Sequence, residues 1–485
     1  MKLTMVTFLK DRWSREGGFR EVLVLAFPLV LSTGSWSLLH FVDRMFLSWY
    51  SPETIAAAMP SGILNFTVMS FFLGTASYVS TFIAQYHGAQ MYNRIGPALW
   101  QGLYFSLIGG ILVLGMIPLA RPIFDLVGHA PAVRENEIVF FQYLCLGGFP
   151  AIAASALSGF FTGLGRAWPV MWVDVIATII NLILDYAMIF GNWGFPEMGM
   201  KGAAIATVIS GVFSFTAYSV LISRSSYKKE FRIFSGWRPD TDLFRRLLKF
   251  GGASGVQFFL DMLGFTTFVL ILGRLGTVNL AATNIAFNIN TLAFMPMIGF
   301  GIAVSVLVGR YIGKGRTDLA ARSTYSGFFM TFIYMSTIAV LYVAVPEIFT
   351  APFAARSDAV VFPEIRHLTE ILLRFVALYS VFDTMNVIFA SAIKGAGDTR
   401  FVMFMIVLVS ACVLVVPTYV AIMILGYGVM AAWVIVTLYV ILLGFVFYLR
   451  FLQGNWKRMR VIEVVSAIKT IPPACSECPD TKFEP

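Results

Sequence analysis

The chain has 485 residues, 58% of them hydrophobic and 13% charged, with a formal net charge of +9. Its mean hydropathy is +0.80. Soluble domains carry about 25% charged residues, so a water-solvated fold is excluded and the bilayer is the solvent against which elements must be read. The basic residues flank apolar stretches and are not interleaved with exposed aromatics, so they record membrane orientation and no nucleic-acid partner is expected.

In chain order, residues 1–20 are charged and amphipathic, with no small-residue cleavage site after an apolar core. No cleavable signal is expected there, only a short cytoplasmic surface segment leading into the first span. Gly, Pro, Asn and charge clusters then divide the chain into twelve apolar stretches of about 20 residues or more. The predicted spans are 21–47, 54–83, 96–118, 137–160, 168–190, 200–223, 245–272, 279–308, 320–345, 366–393, 400–424 and 427–449. The 41 glycines permit close helix approach, and the 46 phenylalanines and 22 methionines give an adaptable apolar surface. Cys145 and Cys412 fall inside spans, while Cys475 and Cys478 form a single CxxC in the tail, too little for a zinc site.

The longest polar interruption, 224–249, lies at the midpoint and suggests two joined halves. At a gapless offset of 225, Ala56, Ala57, Asn65, Gly74, Ser80, Tyr86, Gly88 and Gly102 match Ala281, Ala282, Asn290, Gly299, Ser305, Tyr311, Gly313 and Gly327. Six spans separate equivalent positions, so the two copies run in the same direction about an axis along the membrane normal. The expected organisation is an N-terminal segment (1–20), a first six-helix bundle (21–223), a linker (224–244), a second six-helix bundle (245–449) and a tail (450–485). With the termini, linker and even-numbered loops on one side, that side holds 27 of the 35 Lys and Arg residues. Arg44, Arg121, Arg134, Lys201, Arg274, Arg356, Arg366 and Arg374 make up the other side. The positive-inside rule therefore predicts cytoplasmic termini in a multi-pass protein of the cell membrane.

Carboxylates inside the spans carry the functional argument, since each costs roughly 2.5 to 3.5 kcal/mol to place at the bilayer centre on insertion scales. Asp43 of span one and Asp185 of span five fall in the external third, and Asn181 lies one turn before Asp185 on the same helix face. Thr207, about seven residues into span six, falls at the same depth. Two carboxyls with amide and hydroxyl oxygens suit a hard cation or a shared proton. Asp261 and Asp383 form a second pair near the bilayer centre, with Gln257, Asn288 and Asn386 as amides able to orient them. Asp174 is expected at the cytoplasmic interface. Pro28 removes a backbone hydrogen bond and is expected to bend span one, the helix that carries Asp43.

These residues and the stretches "FPLVLSTGSWSLLHFVDRMFL", "GLGRAWP", "NLILDY", "IAQYHGA", "LVGRYIGKG" and "SAIKGAGDTR" resemble the multidrug and toxic compound extrusion (MATE) family over nearly the whole chain. The resemblance implies an all-α integral membrane fold of twelve helices in two six-helix bundles around a central cleft. It also implies a secondary antiporter that exports cationic or amphipathic drugs in exchange for Na⁺ or H⁺ by alternating access, with no cofactor. By motif, Asp43, Asn181, Asp185 and Thr207 match the family's first-lobe cation site, where Na⁺ is one candidate occupant. Asp261 and Asp383 match acids used for coupling in another bacterial branch, and Asn288 accompanies them here. That branch commonly has Glu in the seventh span and Asn at the position of Asp185, so this chain carries both sets. A monomer is expected. A lipid-linked oligosaccharide flippase of the same superfamily is the nearest alternative, but it would favour a cationic cleft. His40, His87, His129 and His367 lack HExxH spacing, so an enzyme is not expected, and no pore-loop signature marks an ion channel.

Overall fold

The computed structural model describes residues 13–354 and 362–463. Arg356, most of the expected N-terminal surface segment, and Cys475 and Cys478 lie outside the described residues. Within them there is no strand, and eleven helices are long and apolar enough to cross a membrane; a further pair, bent by 48°, makes the twelfth crossing. The spans are α1 (Phe19–Tyr50), α2 (Glu53–Gly88), α3 (Tyr92–Val127), α4 (Pro131–Leu146 with Gly148–Gly163), α5 (Ala167–Phe190) and α6 (Met200–Ile222) in the first half. The second half has α7 (Thr241–Leu275), α8 (Thr277–Gly313), α9 (Thr317–Ala344), α10 (Phe362–Ala396), α11 (Thr399–Ile424) and α12 (Val429–Leu452).

Local chemistry sets the ends of these helices. Asp240 caps α7, accepting a bond from the Leu243 amide at 3.0 Å, so the helix starts four residues before its predicted boundary. Gly191, with φ +71°, closes α5 in the left-handed conformation that a residue without a Cβ adopts freely. The bend in α4, absent from the predicted spans, falls at Gly147, just before Gly148 and Pro150. Pro150 has no N–H to donate to the carbonyl one turn back. Pro28 lacks the same donor, yet α1 continues through it unbroken from Phe19 to Tyr50. The linker is not loose: Phe231 and Ile233 are buried, and their carbonyls accept bonds from the Gly96 amide (3.1 Å) and the Trp100 indole (2.7 Å) of α3.

The seam between the halves obeys the 225-residue repeat to the residue. α1 packs on α8, and α2 packs on both α7 and α8. A Cβ on Gly88 would lie 2.0 Å from the Arg310 carbonyl oxygen, and one on Gly313 would lie 2.1 Å from that of Gln85. Residues 85 and 310, like 88 and 313, are repeat equivalents. Gly74 likewise seats against Gly255 of α7, while its equivalent Gly299 seats against Val30 of α1. Backbones approach this closely only where no side chain intervenes.

One buried core runs through both halves at the end that carries the termini, including Val22, Phe82, Tyr86, Val304, Tyr311 and Phe389. At the other end the core divides. Leu47, Ala57, Ile189, Met200 and Ala203 belong to the first half alone, whereas Phe268, Met297, Leu372 and Trp433 belong to a cluster confined to the second. The halves are thus joined at the terminus-bearing end and separate at the opposite one.

The segments flanking the twelve spans cross over. Before α1, the Gly17 and Glu16 carbonyls accept bonds from Ser326 (3.0 Å) and Arg322 (3.3 Å) of α9, and Tyr311 of α8 donates to Glu21 at 2.6 Å. After α12, the Val461 amide donates to Gln85 of α2 at 2.9 Å, and Tyr86, the repeat equivalent of Tyr311, donates to Glu463 at 2.6 Å. Glu463 also pairs with Arg94 and, at 3.3 Å, with Arg246. Burial raises the Glu463 carboxyl, but the hydrogen bonds from Tyr86 and Arg94 outweigh it and leave the group below the usual glutamate range.

Candidate functional site

The first-half candidates converge. Asp43 comes from α1, Asn181 and Asp185 from one face of α5, and both α5 residues are completely buried. The Asn181 amide is oriented by its neighbours, since carboxyl oxygens lie on one side and the Thr207 backbone N–H on the other. With its nitrogen toward the carboxyls it donates to Asp43 Oδ1 at 3.2 Å and Asp185 Oδ2 at 3.0 Å, while its oxygen accepts from Thr207 N at 3.2 Å. The two carboxyl groups are also within hydrogen-bonding reach of each other. Two carboxylates this close repel unless a proton or a cation lies between them. Asp185 Oδ1 is buried and receives no donor from the described residues.

Thr207 does not enter as expected. Its hydroxyl donates to the Ala203 carbonyl one turn back on its own helix, at 3.0 Å, and only its backbone amide touches the cluster. A buried threonine in a helix commonly makes this bond, because the carbonyl at i−4 is its nearest acceptor. No ion pair joins Asp43 to its neighbour Arg44 among the described residues.

In the second half the acids are satisfied within their own helices. Gln257 of α7 donates to Asp261 at 3.1 Å, four residues on, and Asn386 of α10 donates to Asp383 at 2.9 Å, three residues back. Both acids fall in the middle third of 35-residue helices, and their charges lie within reach of each other. Lys394 of α10 lies within reach of Asp261, a counter-charge that the sequence reading passed over because "SAIKGAGD" reads as a helix end. Asn288 does not join this pair. Its amide donates back to the Asn284 carbonyl at 2.8 Å, on an exposed face of α8.

Asp174, expected at the cytoplasmic interface, is held by side chains of two other helices. Its Oδ2 accepts from Ser32 of α1 and its Oδ1 from Tyr218 of α6 at 2.7 Å, so it pins together the three helices that form the cluster above. Both donors are buried. The tyrosine lies 44 residues downstream, on the next helix.

Two repeat-related bundles, joined at one end and separate at the other, with carboxyls buried between helices, define a multi-pass membrane transporter. The sequence model of the MatE family matches residues 28–187 and 253–420, two segments whose starts are separated by the 225-residue repeat offset. The chain belongs to the MatE family. It is 25% identical over 446 residues to the probable multidrug resistance protein NorM of Thermotoga maritima, covering 91% of this chain and 94% of that protein. It is 28% identical to the multidrug resistance protein PmpM of Pseudomonas aeruginosa, covering 80% of each chain. Among solved structures, an outward-facing multidrug resistance MATE family transporter of the MOP superfamily superposes with a TM-score of 0.83 at 18% identity, covering 91% of this chain and 97% of that one. A MOP superfamily transporter from Pyrococcus furiosus gives the same TM-score, identity and coverage.

Proposed function

We propose that this protein is a secondary antiporter that exports cationic or amphipathic drugs by alternating access, and that a proton shared by Asp43 and Asp185 is its coupling ion. The observation that carries this reading is the bridging of both carboxyls by Asn181, beside an Asp185 oxygen that no donor among the described residues reaches. A proton fits this arrangement better than Na⁺. A proton needs only the two carboxyls already within hydrogen-bonding reach of each other, whereas a cation would need further oxygens, and Thr207 brings its backbone N–H to the cluster. The names of the bacterial relatives, multidrug resistance proteins, support drugs as the substrate class.

The mechanism follows from the helices involved. Asp43 rides on α1, whereas Asn181 and Asp185 ride on α5, so a shift of α1 against α5 makes or breaks the shared-proton contact. A proton therefore binds the two arrangements with different affinity, and that difference is all it can contribute to switching between them. The larger rearrangement moves the bundle 21–223 against the bundle 245–449, joined by the linker 224–244, and α1, which packs on α8 of the second bundle, links it to the shift within the first. Both termini are cytoplasmic, in the cell membrane of a prokaryote, and one chain suffices as a monomer. In this orientation the core that divides lies outside, and the structure corresponds to an outward-facing arrangement. Substrate meets Phe and Met surfaces with the Asp261–Asp383 pair nearby, which suits broad recognition of cations. The deciding experiment is drug efflux from proteoliposomes under separately imposed H⁺ and Na⁺ gradients. Efflux driven by Na⁺ alone overturns the proton, and efflux indifferent to both overturns the antiporter.

A further inference from the structure

The Asp174 site repeats the register of the Asp43–Asp185 cluster. Ser32 precedes Asp43 by 11 residues on α1, Asp174 precedes Asp185 by 11 on α5, and Tyr218 follows Thr207 by 11 on the antiparallel α6. Eleven residues make about three turns, roughly 16 Å along the axis with only about 20° of residual rotation. The same three helix faces therefore meet twice, once in each layer. Between the layers the shared face stays polar: Thr178 lies one turn from Asp174 and one from Asn181, and Ser210 lies one turn from Thr207, both buried.

Both protonation states of Asp174 find hydrogen-bond partners in place. Ionised, the carboxylate accepts from Ser32 and Tyr218. Protonated, it donates to the Ser32 hydroxyl, which is both donor and acceptor, and Tyr218 has a second acceptor in the Val170 carbonyl at 3.4 Å. Among the described residues, no Lys, Arg, His, Asp or Glu acts on the Asp174 charge, and Asp174 is the one such group acting on Tyr218. A carboxyl lacking a counter-cation but holding two reversible hydroxyl partners is built to gain and lose a proton, not to anchor a permanent ion pair.

We infer that Asp174, with Ser32 and Tyr218, is a second proton-exchange site in the first bundle, the station through which a proton leaving the Asp43–Asp185 pair passes toward the terminus-bearing face. The transfer is a simple exchange: an O–H bond forms on the Asp174 carboxylate as one breaks on the hydronium that delivers the proton, leaving water, and the reverse releases it. This inference rests on the proton-antiport reading for its direction but not for the titration of the site itself.

Two measurements on the full-length protein test it. Infrared difference spectra across a pH titration should show a protonated-carboxyl band that disappears in Asp174→Asn, persists in Asp185→Asn, and changes frequency in Tyr218→Phe, a variant that keeps the ring and its packing. An unchanged spectrum in Asp174→Asn overturns the site. In proteoliposomes, Asp174→Asn should slow proton-driven efflux about tenfold, a typical scale for a positioned acid or base, and flatten its dependence on pH at the terminus-bearing side. Slower efflux with an unaltered pH profile would make Asp174 a structural tie and overturn the inference. Efflux indifferent to a proton gradient in the unmodified protein would remove the antiport reading, while the infrared band would still decide whether Asp174 titrates.

Discussion

The two halves carry similar acids wired in opposite ways. In the first half, Asn181 reaches from α5 to Asp43 on α1 as well as to its helix neighbour Asp185, so the hydrogen bonds cross a helix interface. In the second half, Gln257–Asp261 and Asn386–Asp383 are each contained within one helix. Bonds within a helix survive its displacement unchanged, whereas bonds between helices report it. A carboxyl that senses helix position must be held from across an interface, and of these two pairs the first-half one meets that condition. The second pair, with Lys394 in reach of Asp261, is better placed to set the charge that a bound molecule meets.

The largest test of this contrast is Asp185→Asn, which should reduce ion-driven efflux by at least tenfold, about 1.4 kcal/mol of coupling, while membrane insertion is unchanged; full transport would collapse the distinction. Next come matched amide removals. Asn181→Leu should cost most of the ion dependence of transport, while Asn386→Leu should cost about two- to threefold, because its bond does not cross an interface; equal losses would erase the contrast. Third, Asp261→Asn should raise the substrate KM several-fold and leave ion dependence intact, measured as initial efflux rates against drug concentration. A loss of ion dependence there would move coupling into the second half.

The smallest effect expected is on stability, at Glu463. Its folded carboxyl lies below the ordinary value of about 4.3, so its stabilising contribution is fully present above that pH and is lost as pH falls through the lower, folded value. Glu463→Gln should therefore lower the melting temperature by the same few degrees at pH 5 and pH 8, with the difference from the unmodified protein vanishing only in stronger acid.

Much of this was legible from the sequence, and the reasons are physical. Span positions follow from apolar length, and the offset of 225 survives because equivalent glycines meet backbones that tolerate nothing larger. The convergence of Asp43, Asn181 and Asp185 follows from span direction and helix periodicity. What escaped was set by rotamers and distant partners. Nothing in the sequence tells whether Thr207 aims its hydroxyl outward or back to Ala203, or that the Asn288 amide bonds its own helix. Distance from the helix start placed Asp174 at the interface but could not tell that Ser32 and Tyr218, on two other helices, bond it. The bend in α4 was encoded by Gly147, Gly148 and Pro150, but a hydropathy reading averages across such a break.

The paired seats of Gly88 on Arg310 and Gly313 on Gln85 have a consequence for how the molecule moves. Most helix interfaces can yield gradually, since side chains exchange rotamers and keep partial contact as the helices slide. Here backbone meets backbone, and there is no rotamer left to adjust. Such a junction has no partly seated form, and the repeat makes its two copies alike. An added methyl at either glycine would meet a carbonyl oxygen about 2 Å away, so this junction tolerates no larger residue in its seated form.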